Sequence, residues 1–328
     1  DGRLDLRAAA AWPHISALWA RRQDAGRGRA GRRWITPPGS ALTISFVLRP
    51  LVPAAALAWL PLLAGLAARD VVDTILISAR APWRARTKWP NDVVLVPNER
   101  AGEGIAAGAS TRAGTGGGAG TSAGPVPAEI PGWGRARKVA GVLAELIPTA
   151  GGIGARTSAG TTGTADASGA VAAGAAGAPG AVGAAGAPGA AAGADRGAAC
   201  AVVLGIGVNT GQSESELPVP WATSLRLAGA RVEPRALLEP LSARLDELVT
   251  AWEAGEGDPD AGDGALGAAL RRACTTLGRR VRVDAPDGAL RGTAVDIAPG
   301  LVLRGADGTM RTVDAGDVSH VRTDGAVD

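Results

Sequence analysis

Apolar positions along this chain recur with two periods, and the place where one gives way to the other outlines the elements. Short apolar runs bounded by Gly, Pro, Asn or Asp predict strands at residues 14–20, 42–48, 85–89, 93–96, 139–147 and 201–208. Between them an apolar stretch that opens on Pro53 predicts a core helix over 53–69. From Pro234 to Trp252, Leu237, Leu238, Leu241, Leu245, Leu248 and Val249 fall on one face of a helix, and 265–277 predicts another. From Gly278 the texture becomes all β. Val281/Val283, Leu290, Ala294/Val295, Leu301/Leu303, Met310/Val313 and Val318/Val321 mark short strands, and Asp287-Gly288, Pro299-Gly300 and Asp307-Gly308 supply turns. The pattern predicts an α/β or α+β body followed by a small β-barrel of SH3-like type.

Two stretches break the pattern. Residues 97–134 are rich in Gly, Ala, Ser and Thr, and 149–197 consist almost wholly of Gly, Ala, Thr, Ser and Pro. Neither has side chains able to offset chain entropy by burial, so both are expected to be disordered insertions in surface loops. The longest uncharged apolar run, 51–68, approaches spanning length, but Pro53 and Pro61 interrupt it and a buried helix is expected there. The chain opens on Asp1-Gly2-Arg3, without the look of a secretory signal.

Composition sharpens which polar residues to examine. Among 34 basic residues only Lys88 and Lys138 are lysine, there are three asparagines (Asn91, Asn98, Asn209), and Tyr is absent. This looks like the bias of GC-rich coding, in which a retained lysine is a candidate for a position where only a compact ammonium works. The net charge of +3 is small, so no global field calls for nucleic acid. Residues 21–33, however, concentrate six arginines against one acid. Cys200 and Cys274 lack metal-ligand spacing and suit a reducing compartment.

Four motifs carry chemistry. In 23–34, Gly and Arg alternate: Gln23, Gly26, Arg27, Gly28, Arg29, Gly31, Arg32, Trp34. Flexible backbone N–H groups and planar guanidinium forks suit phosphate or carboxylate; an arginine–glycine nucleic-acid segment and a solvated basic loop are the alternatives. Lys88-Trp89-Pro90-Asn91-Asp92 is a strand–turn–strand whose amide and carboxylate could reach a ligand or simply make the turn. Lys138 enters an apolar strand in which Ala140 and Gly141 permit close approach to the backbone; a surface lysine beside a core strand is the alternative. Gly205-Ile206-Gly207-Val208-Asn209 lacks the full dinucleotide fingerprint.

Taken in order, Gly-Arg-Gly-Arg-x-Gly-Arg-x-Trp, Ser45 to Pro50, Lys-Trp-Pro-Asn-Asp, Arg-Lys-x-Ala-Gly-x-Leu-x-Glu and Gly-Ile-Gly-x-Asn resemble the bacterial biotin–protein ligases of the monofunctional type, which lack an N-terminal DNA-binding domain. The resemblance implies an α+β fold with a class II aminoacyl-tRNA synthetase-like catalytic domain (1–276) and a C-terminal SH3-like β-barrel (277–328). It implies a cytoplasmic enzyme that forms biotinyl-5′-AMP from biotin and ATP with Mg2+, then biotinylates a lysine of a biotin carboxyl carrier domain of acyl-CoA carboxylases. Neither nucleic acid nor membrane is expected as a partner, and Mg2+ is expected to arrive with ATP and not on protein ligands.

Residue by residue, the resemblance places biotin against Gln23, Gly26, Arg27, Gly28, Lys138 and Gly141. It places ATP or adenylate against Arg29, Arg32, Trp34, Asn91, Lys138 and Asn209. Lys138 and Arg29 become the catalytic cations, Asp92 a candidate for activating the acceptor lysine, and Lys88 a support of the turn. The basic loop is expected to order only over ligand. A Ser-Thr-Asn motif usual upstream of that loop in the family is not seen, and both insertions are long for the family. A lipoate or other acyl–protein ligase of the same fold, a truncated inactive remnant, and an arginine–glycine nucleic-acid binder are the competing readings.

Overall fold

The computed structural model describes residues 11–98, 127–148, 200–285, 288–314 and 316–320. Residues 99–126 and 149–197, which hold most of the expected insertions, lie outside them, as do Val321 and the Asp287 half of one predicted turn.

The body is one antiparallel sheet with helices on a single face. Its strands are β1 (Ser16–Trp19), β2 (Ala41–Leu48), β3 (Trp83–Lys88), β4 (Asp92–Pro97), β5 (Arg137–Pro148) and β6 (Cys200–Asn209), in the order β1-β2-β6-β5-β4-β3. Period-two alternation explains the division of labour. Leu42, Ile44, Phe46 and Leu48 of β2 and Leu204, Ile206 and Val208 of β6 are all buried in one core with the helices. Positions between them carry Thr43, Ser45, Gly205 and Gly207, and these line a cavity on the opposite face.

Helix α1 (Leu60–Ser78) crosses the core face, preceded by a 3-10 segment over Ala54–Trp59. It runs past the expected end at 69. The polar pair Arg69–Asp70 does not end it because Val71, Val72 and Leu76 continue the buried stripe, while the charges bond sideways: Asp70 to Arg69 at 2.7 Å and to Arg244 at 2.9 Å. Helix α2 (Leu238–Ala254) buries Leu241, Leu245, Leu248, Val249 and Trp252, and α3 (Ala265–Ala273) stops short of 277. No helix among the described residues is long and apolar enough to cross a membrane.

The second sheet is five-stranded and antiparallel: β7 (Arg280–Ala285), β8 (Gly288–Ala298), β9 (Gly300–Arg304), β10 (Met310–Val313) and β11 (Asp317–His320), in the order β10-β9-β8-β7-β11. Leu290 and Ala294/Val295, expected on separate short strands, share the single long strand β8. A register shift between Ala294 and Asp296 bends it and lets one strand pair on both sides. The two sheets together make a mixed helix and sheet architecture.

The junction between the sheets is specific. Thr275 N–H donates to Thr87 O at 2.8 Å, and Trp89 N–H donates to Thr276 Oγ1 at 3.2 Å. The expectation of disorder through 134 fails at its end. Residues 127–134 are described, Ile130 and Gly134 form a bridge, and Gly132 bridges His320 of β11. The reason is one side chain that average composition conceals: Trp133 stacks on Trp221 with centroids 5.8 Å apart.

Candidate functional site

The sheet face opposite the helices is the floor of a cavity of about 530 Å³, walled by the basic loop, the Pro90-Asn91-Asp92 turn, the 212–222 segment and β11. Register explains why the floor is flat. Gly141 pairs with Gly207 across β5 and β6, and Gly207 pairs with Thr43 across β6 and β2. The Trp34 indole lies on this glycine pair. A Cβ on Gly207 would stand 2.6 Å from the indole, and one on Gly141 would stand 3.2 Å from the indole and 3.2 Å from Lys138 Nζ.

Lys138 reaches the cavity through a bulge. Val93 pairs with Ala140, but the next β4 residue, Val94, pairs with Lys138, so Val139 is the extra residue. Val139, Ala140 and Val142 are buried in the core, while Lys138, three residues before Gly141, emerges on Gly141's side. Strict alternation from Gly141 would have turned Val139 to the cavity; the bulge substitutes a cation. Lys138 Nζ sits 2.5 Å from Asp92 Oδ1 and 5.5 Å from the Trp34 ring centroid. Its own N–H donates to Trp221 O at 2.6 Å, and its carbonyl accepts from Thr223 N–H at 2.8 Å.

The basic loop is held as a hairpin by its own backbone. Gly28 N–H donates to Arg32 O at 2.6 Å and Trp34 N–H to Gly26 O at 2.9 Å, closing a hairpin whose tip is a 3-10 turn at Arg29–Gly31. Seating of Trp34 on the floor then anchors one arm. Arg27 pairs with Glu145 at 3.1 Å, and Arg32 grips Asp317 of β11 through both carboxylate oxygens at 2.6 and 2.7 Å. Arg29 turns inward and donates to Asn91 Oδ1 at 3.3 Å; burial holds its pKa below the usual guanidinium value. Gly26 is buried beneath the loop, where a Cβ would collide with Trp34 O, and does not line the main cavity.

The remaining expected residues are also assembled here. Asn91 Nδ2 donates to Val142 O at 2.7 Å, which pins the turn to β5. Asn209 is buried, and its amide already serves Thr223 O at 2.9 Å and Gln212 Nε2 at 2.9 Å. Lys88 does more than support the turn. It is 4 % exposed, donates to Val318 O at 2.6 Å and lies 4.5 Å over the Trp133 ring, so it ties the first sheet to β11. Burial pushes its pKa down from the ordinary lysine value. Cys274 is a free, buried thiol; the side chain of Cys200 lies outside the described residues.

Several residues of the cavity wall hold buried polar atoms without a hydrogen-bond partner. Gln23 Oε1, Arg29 Nε, Trp34 Nε1, Thr43 Oγ1 and Gln212 Oε1 are all buried without one, and all five residues line it. Asp92 and Glu145 each have an oxygen satisfied only by an ion pair. Thr43 and Gln212 escaped notice in the sequence. Alternation opposite Gly207 could have found Thr43, whereas Gln212 lies in an irregular segment with no periodic signal. Trp133, Trp221 and Asp317 were likewise missed, each depending on contacts between distant segments, and Glu145 was read only as the end of the Lys138 motif.

The first match to known proteins is the biotin/lipoate A/B protein ligase family, over residues 6–156; the biotin protein ligase C-terminal domain matches residues 276–321. The biotin–[acetyl-CoA-carboxylase] ligase of Mycobacterium tuberculosis is 27 % identical over 309 residues, covering 93 % of this chain and 79 % of that one. A ligase of the same description from Paracoccus denitrificans is 42 % identical over 83 residues, 25 % of this chain and 33 % of the relative. The structure of the Aquifex aeolicus biotin protein ligase in complex with biotin and ATP superposes with a TM-score of 0.54 at 20 % identity, covering 94 % of this chain and 90 % of that one, a likeness of fold. Motif order and both family matches agree: this chain is similar to the biotin protein ligases over residues 6–156 and 276–321.

Proposed function

We propose that the chain is an ATP-dependent biotin–protein ligase that forms biotinyl-5′-AMP and transfers biotin to a lysine of a carboxyl carrier domain of an acyl-CoA carboxylase. The observation that carries this reading is a cavity with a glycine floor, lined by Lys138 and by five residues that each hold a buried polar atom without a partner, Arg29 among them. Buried polar groups are ordinarily satisfied, and leaving one bare costs about 1–3 kcal/mol. Such a concentration in one cavity fits a ligand that carries N–H donors, acceptors and negative charge together.

In the first step the biotin carboxylate attacks the α-phosphorus of ATP and pyrophosphate leaves. Mg2+ would arrive with the triphosphate and would offset part of its charge there. Lys138, together with Arg29, would offset the charge gathering between carboxylate and α-phosphate, a role suited to preorganised cations in a site poor in water. A compact ammonium bridges two crowded anions where a planar guanidinium does not fit. Gln23, Arg27, Gly28 and Gly141 would line the biotin end, with Gly26 shaping the loop behind them. Arg32, Trp34 and Asn91 would contact the adenylate, with Asn209 behind them.

In the second step the acceptor lysine amine attacks the acyl carbon, AMP leaves, and one proton must be removed. Asp92, which pairs with Lys138 Nζ at 2.5 Å, would receive it in this reading. We read the six-stranded body as a class II aminoacyl-tRNA synthetase-like catalytic domain ending near residue 276, and the five-stranded sheet as an SH3-like barrel; the sheet orders support this division. The test is biotin-dependent ATP–pyrophosphate exchange, followed by transfer to a carboxyl carrier domain, with lipoate as the control substrate. Exchange that depends on lipoate and not on biotin would overturn the assignment.

A further inference from the structure

The three arginines at the cavity face of the basic hairpin are provided with counter-charges unequally. Arg27 on the first arm pairs with Glu145 at 3.1 Å, and Arg32 on the second arm pairs with Asp317. Arg29 between them bonds the neutral amide oxygen of Asn91. Glu145 owes its place to strand alternation. Side chains of β5 and β6 face the cavity in three cross-strand rows, Gly141 with Gly207, Leu143 with Gly205, and Glu145 with Val203. Glu145 carries the one charge in these rows and stands in the last of them. Lys138 Nζ lies by the first row, 3.2 Å from where a Cβ on Gly141 would be. Four residues of strand at ~3.3 Å each set the first and last rows about 13 Å apart.

The two ends of the floor therefore differ in charge. At the first row Lys138 and Arg29 face one carboxylate, Asp92, and a positive charge is left over. At the last row Arg27 and Glu145 cancel. Arg33, opposite Arg27 in the hairpin, is exposed, where water and salt screen its charge. The Arg27 guanidinium remains within reach of a solute: its side chain is 63 % exposed and lines the cavity, whereas that of Glu145 is 22 % exposed. Without the Glu145 carboxylate, this guanidinium would offer a second anion-binding point far from the Lys138 ammonium, because guanidinium–carboxylate bonds are charge-assisted and strong. An acid could then enter with its carboxylate at either end, and a molecule with a carboxylate at each end would grip both.

We propose that Glu145 is a specificity-determining residue: by occupying Arg27 it keeps the far end of the cavity electrically neutral, so that an acid with one carboxylate and an uncharged head binds in one direction and α,ω-dicarboxylic acids are turned away. This rests on the ligase reading above, which puts the biotin carboxylate at Lys138 and the uncharged rings toward Arg27. Glu145 also repels a second carboxylate directly, which adds to the discrimination.

The experiment measures inhibition of biotin-dependent pyrophosphate exchange, in competition with biotin, by nonanedioate and by its monoacid nonanoate. It compares the wild type, Glu145→Gln, Glu145→Asp and the double variant Arg27→Gln/Glu145→Gln. In Glu145→Gln, which keeps the shape and removes the charge, nonanedioate is expected to bind about tenfold more tightly or better, the worth of one charge-assisted bond, with nonanoate unchanged. Glu145→Asp withdraws the carboxylate by one methylene and shows part of the gain; it decides the matter should the glutamine variant not fold. The double variant lacks the freed guanidinium and returns to the wild-type value. Unchanged nonanedioate binding in the folded single variant overturns the proposal. So does an equal gain for both acids, which would mark a loosened cavity, and so does a gain that survives in the double variant. A wild type without biotin-dependent exchange refutes the ligase reading itself, and the two failures are thereby separate.

Discussion

Gly207→Ala adds one methyl group to the cavity floor, and its consequences can be worked through from the contact it makes. Gly207 does not occupy the left-handed region of backbone space, so alanine is conformationally permitted and should gain about 0.5–1 kcal/mol over glycine within a strand. The new Cβ would stand 2.6 Å from Trp34 Cε2 and 2.7 Å from Trp34 Nε1, against the ~3.5–4.0 Å of an optimal contact. The indole must therefore rise by about 1 Å or more, and overpacking of this kind costs about 1–3 kcal/mol. The two effects leave a net destabilisation of about 0–2.5 kcal/mol. Activity should suffer more than stability, because the displaced ring moves over the Gly141–Gly207 floor and carries the basic hairpin with it. A KM for biotin raised by about tenfold or more is expected, equivalent to ~1.4 kcal/mol of binding.

A double-mutant cycle in urea isolates the cause. In a Trp34→Ala background the methyl group loses its three nearest contacts, so Gly207→Ala should become neutral or stabilising there, with a coupling of about 1–3 kcal/mol between the sites. Additivity to within ~0.5 kcal/mol would refute the placement of Trp34 on the floor.

Lys138→Arg should lower biotin-dependent pyrophosphate exchange by about 100-fold or more, an effect of ~2.7 kcal/mol on the barrier, whereas near wild-type exchange would remove Lys138 from the chemistry. Lys88→Met strips Val318 O of its buried donor and should cost ~1–3 kcal/mol in denaturant unfolding; an unchanged midpoint would mean that desolvation of the ammonium had cancelled the bond. Burial, with Lys88 and Arg279 adding repulsion, pushes the His320 pKa down to about 4 from 6.5. The unfolded state then binds the proton first on acidification, so stability is full above about pH 6.5 and declines as pH falls towards 4, by on the order of 2 kcal/mol. His320→Gln should flatten that acid limb in urea titrations at pH 4.5 and 7.5, and an unaltered limb would show that other groups produce it.

Much of the scaffold was legible without coordinates because it is local. Strands β2, β4, β5 and β6 and the stripe of α2 follow from apolar spacing to within a residue or two. Errors cluster where a local cue met a tertiary one. The Arg69–Asp70 pair reads as a helix boundary until Arg244 arrives from α2 to bond it. Residues 127–134 read as low complexity until Trp133 finds Trp221. Candidate site residues were legible by type, since scarcity singled out Lys88 and Lys138 and glycine spacing singled out 141, 205 and 207.

The sequence by itself determined which chemistries are present: two compact ammonium groups, an arginine–glycine loop, a Pro-Asn-Asp turn and glycines at strand positions where a side chain would otherwise stand. Only the tertiary structure decided how they face one another. Lys138 points into the cavity because β4 and β5 slip by one residue at Val139, and a slip is a property of two strands that neither one encodes alone. Gly141 and Gly207 form a floor because their strands pair in that register. Lys88 became a tie between sheets because a carbonyl 230 residues away came within 2.6 Å of its ammonium. Gln212 acquired a fixed acceptor through two successive hydrogen bonds to Asn209 and Thr223. Alternation and propensity act over a few residues, whereas register, burial and amide orientation are settled by partners that only folding brings together.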